Sequence, residues 1–279
     1  MRSLLRGSMS LACVVCLGLQ ASAQEFRVYT KIYDVRAEAA AKGSRKQSVP
    51  VSRTTTLFHA GKVYDALDAG ERMTVYEPAH NRFLILDGSR QLRTEVTTAE
   101  ISGLIRSAER SAQEYIDGKG KSSDIGRVPL LQFQLAPDFT ESVDDRAPSM
   151  RLNGSGALYE VKCVEPESEE YVKSYLEYAD WAARLNYVVH AHAPLPGPRL
   201  ALDESLRRHG WLPVEVVLQS RQKNGPHLRA EHVYVWKLDE FDRKLITKAE
   251  NELAQPKMKE VDFDTFLQRT QAGTVQAKR

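Results

Sequence analysis

The chain predicts an α+β fold: a curved antiparallel sheet, or unclosed β-barrel, with helices covering its concave face. Three observations predict it. Between Thr54 and Val96, β-branched and aromatic runs recur at about ten-residue spacing, with a turn signal in every gap, which is the pattern of a meander. Within that block Phe83-Leu84-Ile85-Leu86 is apolar on both faces, so the sheet there needs two covers. Directly after it Ile101, Leu104, Ile105, Ala108, Ala112 and Ile116 fall at helical spacing, which supplies one of them.

The chain has 279 residues, 42% of them hydrophobic and 27% charged, ordinary for a globular protein that buries a substantial core. Its start stands apart. Arg2 and Arg6 precede a short apolar run from Leu11 to Leu19, and Ala21-Ser22-Ala23 offers small residues for cleavage. Residues 1–23 are therefore expected to be a signal peptide, with the mature chain, 24–279, forming one domain that is periplasmic or secreted. Neither the leader nor any later segment reaches the roughly 20 apolar residues needed to span a bilayer. Removal of Arg2 and Arg6 leaves 39 less 2, or 37, basic residues against 37 acidic ones. Such a balance lacks the basic footprint of a nucleic-acid binder or a polybasic membrane-surface protein. Loss of Cys13 and Cys16 with the leader leaves Cys163 alone. A lone cysteine permits no internal disulfide, and its alternating strand context, Leu158 to Val164, reads as core.

Phe26 to Val35 opens the mature chain as a strand with one buried face, Phe26, Val28, Thr30 and Ile32 alternating with more polar positions. Ala37 to Ser48 is small and basic and reads as a connection. The meander follows, its gaps marked by Ala60-Gly61, Ala69-Gly70, Pro78-Ala79-His80-Asn81 and Asp87-Gly88. Thr97-Thr98-Ala99-Glu100 is a capping-box start for the helix Ala99 to Ile116, which Gly118 ends. Leu130 to Leu135 is expected as a strand, and Pro137 to Pro148 as an acidic loop. Leu158 to Val164 returns as a strand. Ser168 to Leu185 is helical, with Tyr171, Tyr175 and Tyr178 on a broad face that packing explains more simply than a ligand does. Pro213 to Leu218 and Leu228 to Trp236 pair as a hairpin across Gln222 to Pro226. A helix from Asp239 to Ala254, with Phe241, Leu245, Ile246 and Ala249 buried, and a shorter one from Asp262 to Gln268 close the chain.

No phosphate loop, nucleophile elbow, HExxH or dinucleotide fingerprint occurs. The spacing most like a metal site is His190-Ala191-His192, which in a strand would put both imidazoles on one face. Two ligands do not make a catalytic zinc site, so no metal, no cofactor and no catalytic residue is expected. A metal-assisted hydrolase stands only as a second alternative.

Tyr76-Glu77-Pro78, a strand ending in Asp87-Gly88, the helix after it, and the later Leu212-Pro213-Val214-Glu215-Val216 strand come in an order that resembles the periplasmic lipoprotein-carrier superfamily, the LolA and LolB type. This chain is longer, carries the tyrosine-rich segment Ser168 to Leu185, and has Arg90-Gln91-Leu92-Arg93 where the family has an aromatic strand. The resemblance implies an unclosed barrel whose helices lid an apolar cavity that takes acyl chains. On that reading Phe83, Ile85, Leu104, Ile105, Tyr234 and Trp236 are the candidate lining residues, and the partner is an acyl chain or a lipidated protein. The alternative is an envelope assembly factor that uses the same fold to hold a protein. Residues Ala99 to Ile116 would be the lid in a carrier.

Overall fold

In a computed structural model, residues 25–41, 49–67, 71–119, 126–144, 146–190 and 193–276 are described. The expected signal peptide and cleavage site lie outside them, as does the turn at Ala69-Gly70. Among these residues twelve strands form one open sheet. In chain order they are β1 (Phe26–Asp34), β2 (Ser52–His59), β3 (Lys62–Leu67), β4 (Arg72–Glu77), β5 (Arg82–Asp87), β6 (Leu92–Thr97), β7 (Thr140–Asp144), β8 (Ser149–Asn153), β9 (Ala157–Val164), β10 (Leu212–Ser220), β11 (His227–Val235) and the two-residue β12 (Lys259–Glu260). The spatial order is β12-β6-β5-β4-β3-β2-β1-β11-β10-β9-β8-β7. All neighbours are antiparallel except β12 on β6. The curved sheet does not close into a barrel, as the sequence predicts.

β1 is the seam between two halves, with Val28 opposite Thr56 on one side and Tyr234 on the other. The meander strands lie where turn chemistry puts them. Ala60 and Gly61 both take positive φ, 50° and 73°, in the two-residue turn between β2 and β3, a conformation that glycine adopts without steric cost. Asn81 and Gln91 take the same left-handed region after Pro78 and before β6. In β10 the register slips between Pro213 and Glu215, and the Tyr234 hydroxyl donates to the Pro213 carbonyl at 2.9 Å. A proline has no N–H for the ladder, so the irregularity sits where a bond cannot form.

Among the described residues seven helices accompany the sheet: α1 (Val35–Ala41), α2 (Thr98–Lys119), α3 (Arg127–Leu135), α4 (Glu169–Val189), α5 (Gly197–His209), α6 (Glu240–Ala254) and α7 (Phe263–Gln276). The capping box at α2 forms as the sequence predicts. Glu100 N–H donates to Thr97 Oγ1 at 3.1 Å, and Thr97 N–H donates to Glu100 Oε2 at 2.7 Å. The concave face packs against α2, α4, α5 and α7 in one large cluster that includes Phe26, Phe58, Tyr76, Phe83, Ile85, Ile101, Ile105, Leu176, Leu202 and Phe266. On the opposite face Leu57, Tyr64, Met73, Val75 and Leu86 pack on Leu245, Ile246 and Ala249 of α6. The doubly apolar β5 therefore has its two covers, Phe83 and Ile85 turned to one cluster and Leu84 and Leu86 to the other.

Four expectations are corrected. Leu130 to Leu135 is not a strand but most of α3, where Leu130, Phe133 and Gln134 share a helical face and Pro129 sits in the first turn, which needs no donor. The Phe133 ring lies over Gly156, where an added Cβ would come within 2.3 Å of it. The acidic stretch after Pro137 contains β7, an exposed edge strand that hairpins with β8; an edge bearing charges needs no apolar alternation. Residues Val188 and Val189 belong to α4, whose apolar stripe continues past Leu185 onto the core, so His190 caps a helix and does not sit in a strand. The expected connection after Val35 begins as α1, with residues 42–48 outside the description. Two side chains expected inside are outside: Leu104 is 42% exposed on the far side of α2, and Phe241 is 57% exposed on α6.

Candidate functional site

The concave face carries a continuous seam of aromatic rings rather than separate contacts. Phe26 and Phe58 stack at 4.0 Å with planes 4° apart, and Tyr76 stacks on Phe83 at 4.6 Å. Tyr178 of α4 bridges them, 6.0 Å from Phe58 and 6.2 Å from Tyr76. Tyr171 meets Phe26 edge-on at 5.2 Å and Trp236 at 4.4 Å, and Trp236 stacks on Tyr234 at 5.7 Å. The tyrosine-rich face of α4 is thus spent on the sheet, with ring pairs of this kind stabilising beyond their buried area. Polar ends of the seam are satisfied inside it. Asp65 accepts from Thr56 Oγ1 at 2.7 Å and from the Tyr178 hydroxyl; burial raises its pKa although both bonds oppose the shift.

Of the six candidate lining residues, Phe83, Ile85 and Ile105 are buried in this packed cluster. Tyr234 is half-buried against it, Trp236 stands at its rim, and Leu104 points away from it. The structure brings five of the six to one face of the sheet and gives Leu104 to the surface.

The other face holds a groove of about 390 Å³ between β5, β6 and the end of α6. Its floor is Leu84, Leu86 and Leu253, and seven charged side chains line it: Lys62, Glu77, Arg82, Arg93, Glu95, Glu250 and Glu260. β-strand alternation puts Lys62, Glu77, Arg82, Arg93 and Glu95 on this face, and α6 brings Glu250. Glu77, almost fully buried, has both oxygens engaged: Lys62 Nζ at 2.9 Å on one, Arg82 Nε at 2.7 Å and His80 Nδ1 at 3.2 Å on the other. Lys62 also pairs with Glu250 at 2.9 Å, to which the Tyr64 hydroxyl donates, and Arg82 pairs with Glu95 at 2.8 Å. Arg93 pairs with Glu260 through one amine, while its Nε is buried and has no hydrogen-bond partner.

The charges of this groove are held in fixed states. Burial pushes the Glu77 pKa up, but the hydrogen bonds from Lys62 and Arg82 outweigh it and hold the carboxyl down at about 2. A carboxylate so acidic takes up no proton at neutral pH, so it serves as fixed charge and not as a general base. Burial and Glu250 together push the Tyr64 hydroxyl well above its ordinary value, which keeps it a donor. What the groove offers is a charged rim with four acidic and three basic groups over an apolar floor. Its residues come from β3, β4, β5, β6, α6 and β12, and Glu77 alone of the acidic ones lies in a stretch that carries the family resemblance, Tyr76-Glu77-Pro78.

A sign follows for pH. Because Glu77 is more acidic folded than unfolded, it stabilises the fold above the ordinary Glu value near 4.3, and that contribution is lost as pH falls toward 2. Replacing Glu77 with Gln is expected to lower stability by about 1.5 to 3 kcal/mol at neutral pH. The gap from the parent should close between about pH 4.5 and pH 2, read from urea midpoints at each pH.

His190 ends α4 with part of its ring in solvent, and the burial of the rest and the nearby Arg72 charge lower its pKa; His192 lies outside the described residues. Among the described residues no three His, Cys, Asp or Glu side chains gather as a metal-ligand set. Cys163 is a free thiol half-buried against the core, its pKa pushed up to about 12 by burial, so it is not a thiolate at neutral pH. No helix among the described residues is long and apolar enough to cross a membrane. No known protein family matches the chain, and no curated protein matches it.

Proposed function

We propose that this is a non-catalytic binding protein of the cell envelope whose partner is a protein, engaged through the charged groove between β5, β6 and α6. The observation that carries this reading is the aromatic seam. The space between α4 and the sheet, where a carrier would hold acyl chains, is occupied by stacked rings from both layers. The groove on the other face suits a polypeptide better than a lipid, since its apolar floor is small and its rim is charged in both signs. Carboxylates pinned by cations argue against acid–base chemistry there. The resemblance to the lipoprotein carriers supports a binding role over an enzymatic one and leaves the acyl carrier as the second reading. One feature favours it: Trp236 and Tyr171 form a half-exposed aromatic rim to the seam.

Two measurements test the proposal. Titration with a fluorescent fatty-acid probe is expected to show no saturable binding, and saturable stoichiometric binding would restore the carrier reading. A photo-crosslinking residue placed at Glu95, in the groove, should give a discrete protein adduct in cells of the source, whereas the same residue at Leu104 should not. Equal labelling from both positions, or none from either, would overturn the assignment of the groove.

A further inference from the structure

A second polar cluster lies on the opposite side of the sheet from the groove, between α4 and α5. Asp203 of α5 has no exposed surface at all. Arg199, one turn earlier, reaches its Oδ1 at 2.9 Å, and Arg207, one turn later, reaches Oδ2 of Asp180 on α4 at 3.0 Å. Arg207 also pairs with Glu204 at 3.1 Å on the solvent side. Arg199 thus reaches one oxygen of Asp203, and Arg207 one oxygen of Asp180. Oδ1 of Asp180 and both oxygens of Asp203 are buried without a hydrogen-bond partner, the Arg199 contact on Asp203 being an ion pair alone. Two ionised carboxylates are acceptors only, and neither can satisfy the other. Burying Asp203 that way, with Asp180 only partly exposed beside it, would cost its desolvation as well as their repulsion.

One proton removes the contradiction. We propose that Asp180 and Asp203 share a single proton in a carboxyl–carboxylate hydrogen bond that latches α4 to α5, and that loss of this proton loosens the helix pair from the sheet. The proton supplies the missing donor, so the orphaned oxygens become each other's partners. The site's direction of titration agrees. Burial raises the Asp203 pKa, Arg199 opposes that, Asp180 adds to it and Arg207 opposes it again, with the result near 7.

The groups around the pair face it from several elements, and on α5 itself Ser205 Oγ is a further buried polar atom without a partner. From α4, the Tyr175 hydroxyl oxygen lies beside Tyr234 and accepts from Arg199. From β9, Tyr159 faces Arg199 and Asp203, its own pKa raised to about 12 by burial. From β11, His232 is held neutral, its pKa lowered to about 3 by burial and Arg199, and its Nδ1 lies 2.9 Å from Thr30 Oγ1. From β7, Glu141 faces Ser205 and is pinned by Arg208 and His209 at the outer end of α5. The same helix α4 carries the tyrosines that close the aromatic seam, so what holds α4 to α5 also holds that seam shut.

The sign is fixed by the raised folded value. The folded protein keeps its proton between the ordinary Asp value near 4 and about 7, where the unfolded chain has lost it. The latch's contribution is therefore full below about 4, declines as pH rises to about 7, and is gone above that.

Hydrogen exchange on the full chain reads this directly. After correction for the intrinsic pH dependence of exchange, amides of α4 and α5 should lose protection from about pH 5 to about pH 7.5, relative to amides of β3 and β4. Asp203→Asn supplies a permanent amide donor to Asp180 and should flatten that profile. Asp180→Asn, which donates to Asp203 instead, should flatten it too, and serves if the first variant does not fold. Infrared difference spectra of the unaltered protein should show a protonated carboxyl band that disappears between about pH 6 and about pH 8 and is missing from Asp203→Asn. No such band, or a protection profile identical in the unaltered protein and a folded Asn variant, would overturn the shared proton.

Discussion

Replacing Phe26 with alanine is expected to destabilise the protein by about 3 to 5 kcal/mol, near the top of what a single core truncation costs. The ring has no exposed surface and sits in β1, the strand that joins the two halves of the sheet. It touches the aromatic seam on three sides: flat against Phe58, edge-on to Tyr171, and tilted against Trp236 at 6.1 Å. Collapse into the space left behind is difficult. β1 is held by ladders to β2 and β11 on both sides, so the backbone cannot move inward without breaking them. Phe58 and Tyr171 belong to different layers, and neither can fill the gap without leaving its other partners. Urea unfolding should show the loss as a lower midpoint at unchanged slope. Phe241→Ala is the control, since that ring is mostly in solvent and its removal should stay within about 0.5 kcal/mol. A Phe26→Ala loss as small as the control's would mean the seam repacks freely, and the argument that it fills the would-be cavity would fail with it.

What could be read from the chain depended on whether a feature is local. The β2 to β6 meander was legible because each strand ends in residues that fix a turn, such as Ala60-Gly61 and Asp87-Gly88. The α2 start was legible because its capping box is complete within Thr97 to Glu100. The two covers of β5 were legible as a necessity, though only one of them, α2, stood close by; the other, α6, begins more than 150 residues later. β7 was missed because an edge strand shows no burial period, and α3 because Leu-Leu-Gln-Phe-Gln-Leu satisfies a two-residue and a helical spacing equally. Neither polar site was legible as a site, although Glu77 lies in the quoted Tyr76-Glu77-Pro78 stretch. Glu77 meets Lys62 and Glu250 only because β3, β4 and α6 converge, and Asp180 meets Asp203 only because α4 packs on α5. Sequence spacing places Arg199, Asp203 and Arg207 on one face of a helix, but nothing in it says that a second carboxylate waits opposite.

The sharpest test of the proposed function uses the two faces of β5. Ile85→Ala and Leu86→Ala are each expected to cost about 2 to 5 kcal/mol, with neither creating nor abolishing binding of an acyl probe. Both residues are filled core. Ile85 is 8% exposed in the concave cluster with Ile101 and Ile105, and Leu86 is 4% exposed in the cluster under α6 with Leu245 and Ile246. Truncating either leaves a void whose lining is held by ladders on both sides, β5 lying between β4 and β6. A carrier predicts a different pattern. There Ile85 would line a space already open to a ligand, its truncation would cost little stability because no packed contact is lost, and probe affinity would fall as the lining lost area. Comparable losses at both positions with no probe binding favour a scaffold whose interior is packed and whose work is done at the surface. A cheap Ile85→Ala with weakened uptake would return the protein to the acyl-carrier reading and make α2 a lid after all.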